Sequence, residues 1–345
     1  MTSLFRIRER SKFRAVIVGA GAIAHDHARV LRLDTRAELA GIADIDYKKA
    51  QSLASDSGAA AYTDYKTMVS ELQPDIAIIT LPHYLHKTAA IDCTERGCHV
   101  LMEKPMALNT DECVEMNITA DKHGVYLAVG QLQHHYAANR KVKAIIASGQ
   151  LGKLVSIFER RHHPYFLPQR PDWFLDKAKS GGGVVINLGS HCIDKLQWIG
   201  GSPITKVMAH LTYYGTRGNV EGGGSLLMQT AVGVSAMISL CGYNNVTVNE
   251  TEFIGTEGQL ELVGSHSLWI AGEDRTYTQV DLGETVDVFE AQWSAFLDDI
   301  ERGGPTDNSG EYGQSVCAVI DAIYRSDATG TEQDVISVPS PVPIV

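Results

Sequence analysis

The stretch AVIVGAGAIA, residues 15–24, decides the fold of this chain. Four apolar residues typical of a buried strand run into a glycine-rich turn, and a helix-forming segment follows. The turn has the form G-x-G-x-x-A, in which Gly19 allows the sharp bend and Gly21 lets the backbone approach a pyrophosphate at the helix N-terminus. We therefore predict a dinucleotide-binding turn, and its expected cofactor contacts are Gly19, Gly21, Ala22 and Ile23.

An acidic residue ends the second predicted strand. Asp44 follows Gly21 at about the 20-residue spacing at which such folds place a carboxylate on the adenosine ribose. Because its charge repels a 2′-phosphate, the sequence favours NAD over NADP. Lys48 and Lys49 follow closely and could fold back onto a phosphate, which leaves NADP open as an alternative.

The pattern of apolar residues divides the chain into two parts. Up to about Gln131, short apolar runs alternate with helix-like segments, which is typical of βαβ units on a parallel sheet. The predicted strands of this part are 15–18, 39–43, 76–81, 99–102 and 126–129. The sequence therefore predicts an α/β Rossmann domain with a doubly wound parallel sheet over residues 1–131.

Beyond about Leu151, period-2 alternation replaces this pattern and predicts a large open, mostly antiparallel sheet. The predicted strands are 153–163, 205–216, 225–231, 234–242, 246–254 and 259–270, and two later helices are predicted at 286–302 and 310–326. The proline-bearing tail after Val338 is expected to be a surface strap. We assign residues 132–345 to a C-terminal α+β domain that binds the substrate and forms the oligomer contacts.

The amino-acid composition limits the classes of partner that this protein is expected to bind. The 345 residues include 41 Asp and Glu against 30 Lys and Arg, a net charge of −11, so the chain offers little to neutralise a nucleic-acid backbone. No apolar stretch approaches the roughly 20 residues that span a membrane, and the basic N-terminus lacks the apolar core of a secretory signal. We expect a cytoplasmic protein with a small-molecule partner, no nucleic acid and no membrane.

The cysteines carry no metal or disulfide pattern. They are scattered and contain no C-x-x-C pair, so we expect buried free thiols, no disulfide framework and no metal site. The six residues are Cys93, Cys98, Cys113, Cys192, Cys241 and Cys317.

Two loops at the carboxyl ends of predicted strands are candidates for the site, because ligands of open α/β sheets bind there. The first supplies four expected cofactor contacts, which are Leu81, Pro82, His83 and His86. The second is Glu103-Lys104-Pro105, in which Pro105 prevents a helix from continuing through Lys104. Glu103 and Lys104 are expected cofactor contacts, and Lys104 is suited to polarising a hydroxyl or carbonyl oxygen. A surface lysine that only ends the strand is the alternative.

Three consecutive glycines, residues 181–183, open a further cluster. They indicate backbone that passes close to another group, either the cofactor or a neighbouring helix. If a helix has begun by Asn187, Asn187 and His191 lie at i and i+4 on one face. A histidine can take an alcohol proton near neutral pH, so His191 is a candidate base. A histidine that only packs in the fold is the alternative.

The segment from Arg160 to Phe166, with Arg170 and Trp173 beyond it, mixes donors with aromatic faces. This mixture suits a polyhydroxylated ring, and an arginine could also bind a substrate carboxylate or phosphate. A positively charged rim without a ligand is the alternative. The expected substrate contacts are Lys104, Arg160, His162, Tyr165, Trp173, Asn187 and His191.

In combination, these motifs resemble the Gfo/Idh/MocA oxidoreductase family, named for glucose-fructose oxidoreductase and inositol dehydrogenase. The G-x-G-x-x-A turn, Glu103-Lys104-Pro105, the glycine run leading to His191, and the turn at residues 255–258 occur in the family's order. The resemblance spans roughly residues 13–338.

The resemblance implies a Rossmann domain followed by an α+β domain whose open sheet commonly forms homodimer or homotetramer contacts. It also implies a nicotinamide cofactor and a sugar, inositol or related polyol substrate. By position, Lys104 matches the lysine that contacts the reacting oxygen and His191 matches the general acid/base. Asn187 stands where inositol and sugar dehydrogenases often carry aspartate; it can hydrogen-bond a hydroxyl or hold His191 but cannot take a proton.

The resemblance therefore implies that Lys104, His191 and Asn187 act together on one substrate oxygen beside the nicotinamide, with hydride transfer between the cofactor and a secondary alcohol or ketone. Two alternatives stay open. One is a redox-neutral, NAD-dependent enzyme that cleaves a glycoside through a keto-sugar. The other is a non-catalytic dinucleotide-binding regulator.

Overall fold

A computed structural model describes residues 11–304 and 307–336. The start of the basic N-terminal segment and the tail after Val338 lie outside the described residues. The described chain divides into two compact units. The first unit holds residues 11–107, 111–130, 287–304 and 307–313, and the second holds 108–110, 131–286 and 314–336.

The helices and strands follow in chain order. The strands are β1 Phe13–Val18, β2 Ala37–Ala43, β3 Ala60–Tyr62, β4 Ile76–Ile79, β5 His99–Met102, β6 Leu127–Val129, β7 Leu154–His162, β8 Ile204–Thr212, β9 Gly223–Thr230, β10 Ser235–Cys241, β11 Val248–Gly255, β12 Gln259–Val263, β13 Ser267–Ala271, β14 Thr278–Gln279 and β15 Gln333–Asp334. The α-helices are α1 Ala22–Leu33, α2 Tyr47–Ala54, α3 Tyr65–Leu72, α4 His86–Glu95, α5 Thr110–His123, α6 Ala137–Ala147, α7 Lys177–Ser180, α8 Ser190–Gly200, α9 Val288–Arg302 and α10 Gly310–Thr329. Short 3₁₀ turns cover His83–Leu85, Leu132–His135 and Asp172–Leu175, and a π-helical turn covers Val185–Gly189.

The first unit is built on a parallel sheet in the order β3-β2-β1-β4-β5-β6. Strand β1 lies between β2 and β4, so the strand order reverses at β1 and opens a crevice at the carboxyl ends there. All residues of β4 and β5 are buried, as expected for strands covered on both faces. The predicted Rossmann fold is confirmed.

A helix from late in the chain completes the core of the first unit. Trp293, Phe296 and Ile300 of α9 belong to the same buried cluster as Ile17 and the other apolar residues of the parallel sheet. The hydroxyl of Tyr126 donates a 3.0 Å hydrogen bond to Asp299 of the same helix. The predicted C-terminal domain, residues 132–345, included this helix, because the periodicity of a helix predicts an apolar face but does not say which core covers that face.

The second unit is built on a mixed sheet in the order β14-β13-β12-β11-β7-β10-β9-β8-β15. Neighbouring strands are antiparallel except that β7 and β10 are parallel. The predicted mostly antiparallel sheet is therefore confirmed. One prediction was wrong: residues 259–270 form two strands of a hairpin, β12 and β13. Gly264 turns the chain between them with φ +67°.

The two faces of this mixed sheet differ. Residues such as Ile157, Ala236 and Phe253 are fully buried on the face that α8 covers. On the other face, called here the open face, Met208, Leu227 and Met237 remain 40%, 51% and 41% exposed. Within the described residues, the sheet therefore has one covered face and one uncovered face, as its period-2 sequence predicts.

The described cysteines form no disulfide; five are buried and Cys241 is half-buried. In the described part of the chain, every helix is too short or too polar to cross a membrane.

Candidate active site

The turn between β1 and α1 is shaped for close approach of a ligand. Gly19 has φ +103°, and a Cβ atom there would lie 2.8 Å from the carbonyl oxygen of Thr80. The Thr80 hydroxyl donates a 2.7 Å hydrogen bond to the carbonyl of Gly19. Gly21 is the N-cap of α1, and a Cβ atom there would be 4.0 Å from that Thr80 oxygen. The backbone of this turn is therefore fixed by the protein at Gly19 and left open at Gly21.

Asp44 holds this turn from the end of β2. One oxygen of its carboxylate accepts a 2.8 Å hydrogen bond from the backbone N–H of Ala20, and the other accepts a 2.9 Å bond from that of Asp46. Each carboxylate oxygen has a further lone pair, which can accept from a ribose hydroxyl. The residue predicted to select the cofactor thus also braces the glycine turn.

The loop after β4 differs from its prediction at His86. The imidazole of His86 is fully buried, with Nε2 2.7 Å from the carbonyl oxygen of Leu81 and Nδ1 2.9 Å from that of Pro105. Burial lowers the pKa of this histidine, although the two carbonyls act in the opposite direction. The expectation that His86 contacts the cofactor is corrected by this burial, because both ring nitrogens face protein carbonyls. His86 instead braces the β4 loop against the loop that follows β5.

The other predicted residues of the β4 loop are Leu81 and Pro82, which are half-buried, and His83, which is buried. The ring of His83 lies 5.7 Å from that of His86. Leu81 also approaches the glycine turn, since its Cδ2 would be 3.2 Å from a Cβ atom at Gly19. Leu81 and Pro82 therefore remain candidates for cofactor contact, while His83 is largely enclosed.

The Glu103-Lys104-Pro105 loop is tied to α1 by a residue that the sequence analysis missed. His27 Nε2 lies 3.0 Å from Glu103 Oε1, and the backbone N–H of Lys104 donates a 3.3 Å bond to Glu103 Oε2. Burial alone would raise the pKa of Glu103, but the hydrogen bond and charge of His27, with the charge of Lys104, lower it overall. His27 could have been recognised as buried from the sequence, because it lies at helical spacing between Ala24 and Leu31 on the buried face of α1.

Lys104 lies half-buried just beyond the carboxyl end of β5, before the cis Lys104–Pro105 peptide. Since β1 and β5 are parallel strands of one sheet, Lys104 lies at the same sheet edge as the glycine turn. The geometry of the first unit thus groups the turn, Asp44, Leu81 and Lys104 at one edge.

In the second unit, Asn187 lies in the π-helical turn that leads into α8, and His191 lies in the first turn of α8. Four residues of such a winding bring the chain nearly once around, so both side chains lie on one side as expected. Asn187 is 8% exposed and His191 is half-buried. The sequence predicted the shared face but not the π-helical turn, a rare feature that is frequent at functional sites.

Glu221 anchors the start of this turn and was also missed. Its Oε1 accepts hydrogen bonds from the backbone N–H groups of Gly183 (2.8 Å) and Val185 (2.9 Å) and from the hydroxyl of Tyr324 (3.0 Å). Burial raises the pKa of this carboxyl, although these donors oppose the shift. A Cβ atom on Gly182 would lie 1.8 Å from the Tyr324 hydroxyl. The glycine run therefore passes close to α10 and Glu221, as the neighbouring-helix alternative expected.

Tyr165 and Trp173 lie in the segment between β7 and α7. Tyr165 is fully buried, and the amide of Asn187 donates a 3.4 Å hydrogen bond to its hydroxyl. Trp173 is half-buried and stacks on Phe174 with ring centroids 3.7 Å apart. Tyr165 therefore holds the Asn187 amide from the buried side, whereas Trp173 retains exposed surface that a ligand could contact.

Arg160 and His162 lie away from this group, which corrects their predicted role. Glu159 of β7 pairs with Lys195 of α8 at 2.8 Å, so the face of the mixed sheet that α8 covers carries Glu159. Side chains alternate along a strand, so Arg160 and His162 lie on the open face, where Arg160 pairs with Glu250. Because His191 lies on α8, on the other side of the sheet, the two residues cannot share its pocket.

Comparison with known proteins identifies both parts of the chain. Residues 13–131 match a family model described as an oxidoreductase family with an NAD-binding Rossmann fold, and residues 139–261 match the GFO/IDH/MocA C-terminal domain. The chain is 28% identical over 249 residues to 1-carboxy-3-chloro-3,4-dihydroxycyclohexa-1,5-diene dehydrogenase of Comamonas testosteroni, covering 72% of this chain and 62% of that one. It is 26% identical to D-glucoside 3-dehydrogenase of Escherichia coli K12, covering 93% and 97%.

Among solved structures, levoglucosan dehydrogenase in complex with NADH superposes with a TM-score of 0.87. It is 20% identical, and the match covers 95% of this chain and all of that one. At this identity the likeness concerns the fold. The two family models together match more than half of the residues. The chain therefore belongs to the Gfo/Idh/MocA family of oxidoreductases, and its N-terminal part is an NAD-binding Rossmann domain.

Proposed function

We propose that this protein transfers a hydride between NAD and a secondary alcohol or ketone of a sugar, inositol or related polyol. The observation that carries the proposal is the position of Lys104, half-buried beyond the carboxyl end of β5 at the same sheet edge as the glycine turn. The curated relatives reported above are both named as dehydrogenases, and one of them is named for a glucoside.

The first unit offers the groups that such a cofactor requires. The backbone from Gly19 to Ile23 would hold the pyrophosphate at the start of α1, and Asp44 would accept from the adenosine ribose. The fixed negative charge of Asp44 disfavours a 2′-phosphate, which supports NAD over NADP. When bound, NAD supplies a carbon that accepts or donates hydride.

The side chains have separate roles in this proposal. Lys104 donates a hydrogen bond to the substrate oxygen and stabilises negative charge that develops there. His191 takes the hydroxyl proton during oxidation and returns it during reduction. Asn187, held by the Tyr165 hydroxyl, orients the hydroxyl or His191 and takes no proton.

The proposal is tested by following NADH absorbance with NAD⁺ and a panel of polyols, sugars, uronic acids and glycosides. General acid/base catalysis contributes about 10²- to 10⁴-fold, so His191→Ala should lower turnover by that factor while NAD affinity is retained. The matched control is His266→Ala, which removes an exposed histidine from the turn between β12 and β13. Unchanged turnover in His191→Ala would exclude His191 as the base.

The same panel separates the two alternative functions. Glycoside consumption without net NADH would favour redox-neutral cleavage through a keto-sugar. NAD binding with no turnover of any compound would favour a regulator. Oxidation of a polyol or sugar with stoichiometric NADH supports the dehydrogenase.

We further propose that the protein is a cytoplasmic homodimer or homotetramer that buries the open face. Exposed Met208, Leu227 and Met237 give this face apolar area that a second copy would cover. Leu227→Asp should dissociate the assembly in analytical ultracentrifugation, whereas Val232→Asp, in the turn between β9 and β10, should not. A wild-type monomer would refute the proposal.

A further inference from the structure

Arg170 is held beside the Asn187 region in a way that leaves most of its donors unused. Its Nε donates to the backbone carbonyl of Tyr165. Its guanidinium lies over the ring of Tyr165, 3.9 Å from the centroid, and 5.2 Å from the centroid of Phe174. These contacts fix the plane of the guanidinium by stacking and one hydrogen bond, and they leave the Nη1 and Nη2 edge turned away from the Tyr165 carbonyl.

No carboxylate of the described residues pairs with Arg170. The two nearest acids in the sequence are engaged elsewhere: Asp172 pairs with Arg217, and Asp176 caps α7 through the N–H of Ala178. Burial lowers the pKa of Arg170, and the Tyr165 side chain offsets this only partly. Arg170 is thus a half-buried guanidinium, held in place by the protein, whose charge no carboxylate of the described residues neutralises, and an anionic ligand could supply the missing counter-charge.

The segment that carries Arg170 is braced by a second arginine. Arg217 donates 3.0 Å and 2.9 Å hydrogen bonds to the backbone carbonyls of Leu167 and Arg170. The same guanidinium pairs with Asp172. The position of Arg170 is therefore set before any ligand arrives, which lowers the entropy lost when a bidentate anion binds.

Tyr165 connects Arg170 to the proposed catalytic residues. The guanidinium lies on the face of the Tyr165 ring, and the hydroxyl of that ring lies 3.4 Å from the amide of Asn187. Asn187 and His191 lie on one side of the same helical segment. The Arg170 edge is thus separated from Asn187 by about the width of one aromatic ring, a distance that a monosaccharide can span.

We propose that Arg170 binds an anionic group of the substrate, either a carboxylate or a phosphate, so that the preferred substrates are anionic sugars. This inference rests on the proposed function, because it treats the surroundings of Asn187 and His191 as the substrate site. The guanidinium donates two parallel hydrogen bonds to two oxygens of the anion, and the reacting hydroxyl of the substrate lies toward His191.

The test uses two series of sugars, and within each series the members differ only at C6. The first is D-glucose, D-glucuronate and D-glucose 6-phosphate, and the second is D-galactose and D-galacturonate. We expect kcat/KM with NAD⁺ to be at least about tenfold higher for one of the anionic members than for its neutral partner. Arg170→Met should lower this ratio by roughly 10- to 100-fold, mainly through KM. Arg170→Lys keeps the positive charge but cannot form the bidentate hydrogen bonds, so its ratio of kcat/KM should lie between those of the wild type and Arg170→Met. A preference for uronates or for the phosphate identifies which anion is bound.

The matched control is Lys179→Met, which removes a positive charge from an exposed position on α7 and should leave the ratio unchanged. Equal or better use of the neutral sugars, or equal losses for neutral and anionic sugars in Arg170→Met, would overturn the inference and leave the proposed function standing. If the enzyme turns over none of these sugars, the anion site is tested by calorimetric titration of the NAD⁺-loaded protein with D-glucuronate and D-glucose 6-phosphate. Binding that disappears in Arg170→Met would then support the anion site, whereas absence of binding would refute it. In either case, the wider panel of polyols, sugars and glycosides decides the proposed function separately.

Discussion

The parallel sheet of the first unit and the mixed sheet of the second carry their candidate residues in different ways. In the parallel sheet, both faces are covered and the candidate residues lie in loops at the carboxyl ends of the strands. Gly19 and Asp44 directly follow β1 and β2, and Lys104 is the second residue after β5. In the second unit, the candidate residues Asn187 and His191 lie on the helical segment that covers one face of the mixed sheet, and a shift of one residue along a strand changes the face. In the first unit, candidate residues can therefore be chosen from their position after a strand. In the second unit, the choice also depends on which face of the sheet each side chain lies on.

The largest expected effect compares the two faces of the mixed sheet. Lys195→Met removes the partner of Glu159, and both side chains are nearly inaccessible, at 3% and 1% exposure. Breaking a buried pair leaves a charge without compensation, so we expect a loss of about 3–5 kcal/mol in the free energy of unfolding. Urea denaturation measures it.

The matched variant on the open face is Arg160→Met, where the pair with Glu250 is exposed at 57% and 33%. Surface pairs contribute about 0–1 kcal/mol, so this variant should unfold nearly as the wild type does. Similar losses for the two variants would contradict the assignment of the faces.

A second experiment asks whether the start of the α8 segment depends on Glu221. Glu221→Ala leaves the buried N–H groups of Gly183 and Val185 without their acceptor, which should cost about 2–4 kcal/mol. Glu221→Gln keeps an acceptor oxygen and removes a charge that burial disfavours, so it should cost less than about 1 kcal/mol at neutral pH. If Glu221→Gln lowers the free energy of unfolding as much as Glu221→Ala does, the negative charge, rather than the acceptor oxygen, stabilises the turn.

The glycine turn of the first unit gives a third experiment, with a smaller effect on stability. Gly19→Ala places a Cβ atom 2.8 Å from a backbone oxygen at φ +103°, and should cost about 2–3 kcal/mol along with NAD affinity. Gly21→Ala meets no protein atom closer than 4.0 Å and should unfold nearly as wild type while still weakening NAD binding. Fluorescence titration with NADH and urea denaturation separate the two effects. Undiminished NADH affinity in Gly21→Ala would contradict a pyrophosphate at this turn.

The smallest effect concerns the pH dependence of the first unit. The pKa of Glu103 is lowered in the folded state, so its ionised form stabilises the fold above the ordinary carboxyl pKa, and this contribution is lost as the pH falls through the lowered value. Glu103→Gln should therefore be less stable than wild type by about 1–2 kcal/mol at pH 7, and the difference should shrink toward pH 3. Glu115→Gln, an exposed position on α5 that pairs with Lys87, serves as the control. A difference that does not change with pH would exclude this role for the Glu103 carboxylate.

Most of the fold of the first unit follows from local pattern. The strand, the glycine turn and the helix are consecutive in sequence, and Asp44 comes at a spacing that the βαβ unit dictates, so adjacent residues carry the information. His27 could have been found from the buried stripe of α1, but its partner Glu103 lies 76 residues away, and that pairing depends on tertiary packing.

The second unit was harder to predict for a physical reason. Both Ile157 and Phe158 are apolar, so the sequence of β7 does not indicate which alternating set of side chains faces α8. Arg160 and His162, predicted as substrate contacts, belong to the set on the open face. The π-helical turn and Glu221 depend on contacts with Tyr324, far along the chain, and no short-range signal marks them. The shared side of Asn187 and His191 was predictable because it needs only their spacing.

The placement of α9 has a consequence for biosynthesis. Trp293, Phe296 and Ile300 of α9 belong to a core whose strands all lie before residue 130 in the sequence. The guanidinium of Arg36, also in the first unit, donates a 2.6 Å hydrogen bond to Asp298 of the same helix. A nascent chain must therefore be synthesised at least through α9 before the core of its nucleotide-binding unit is complete, and until then the exposed apolar surface can bind chaperones. For the same reason, a fragment cut after residue 131 should be prone to aggregation.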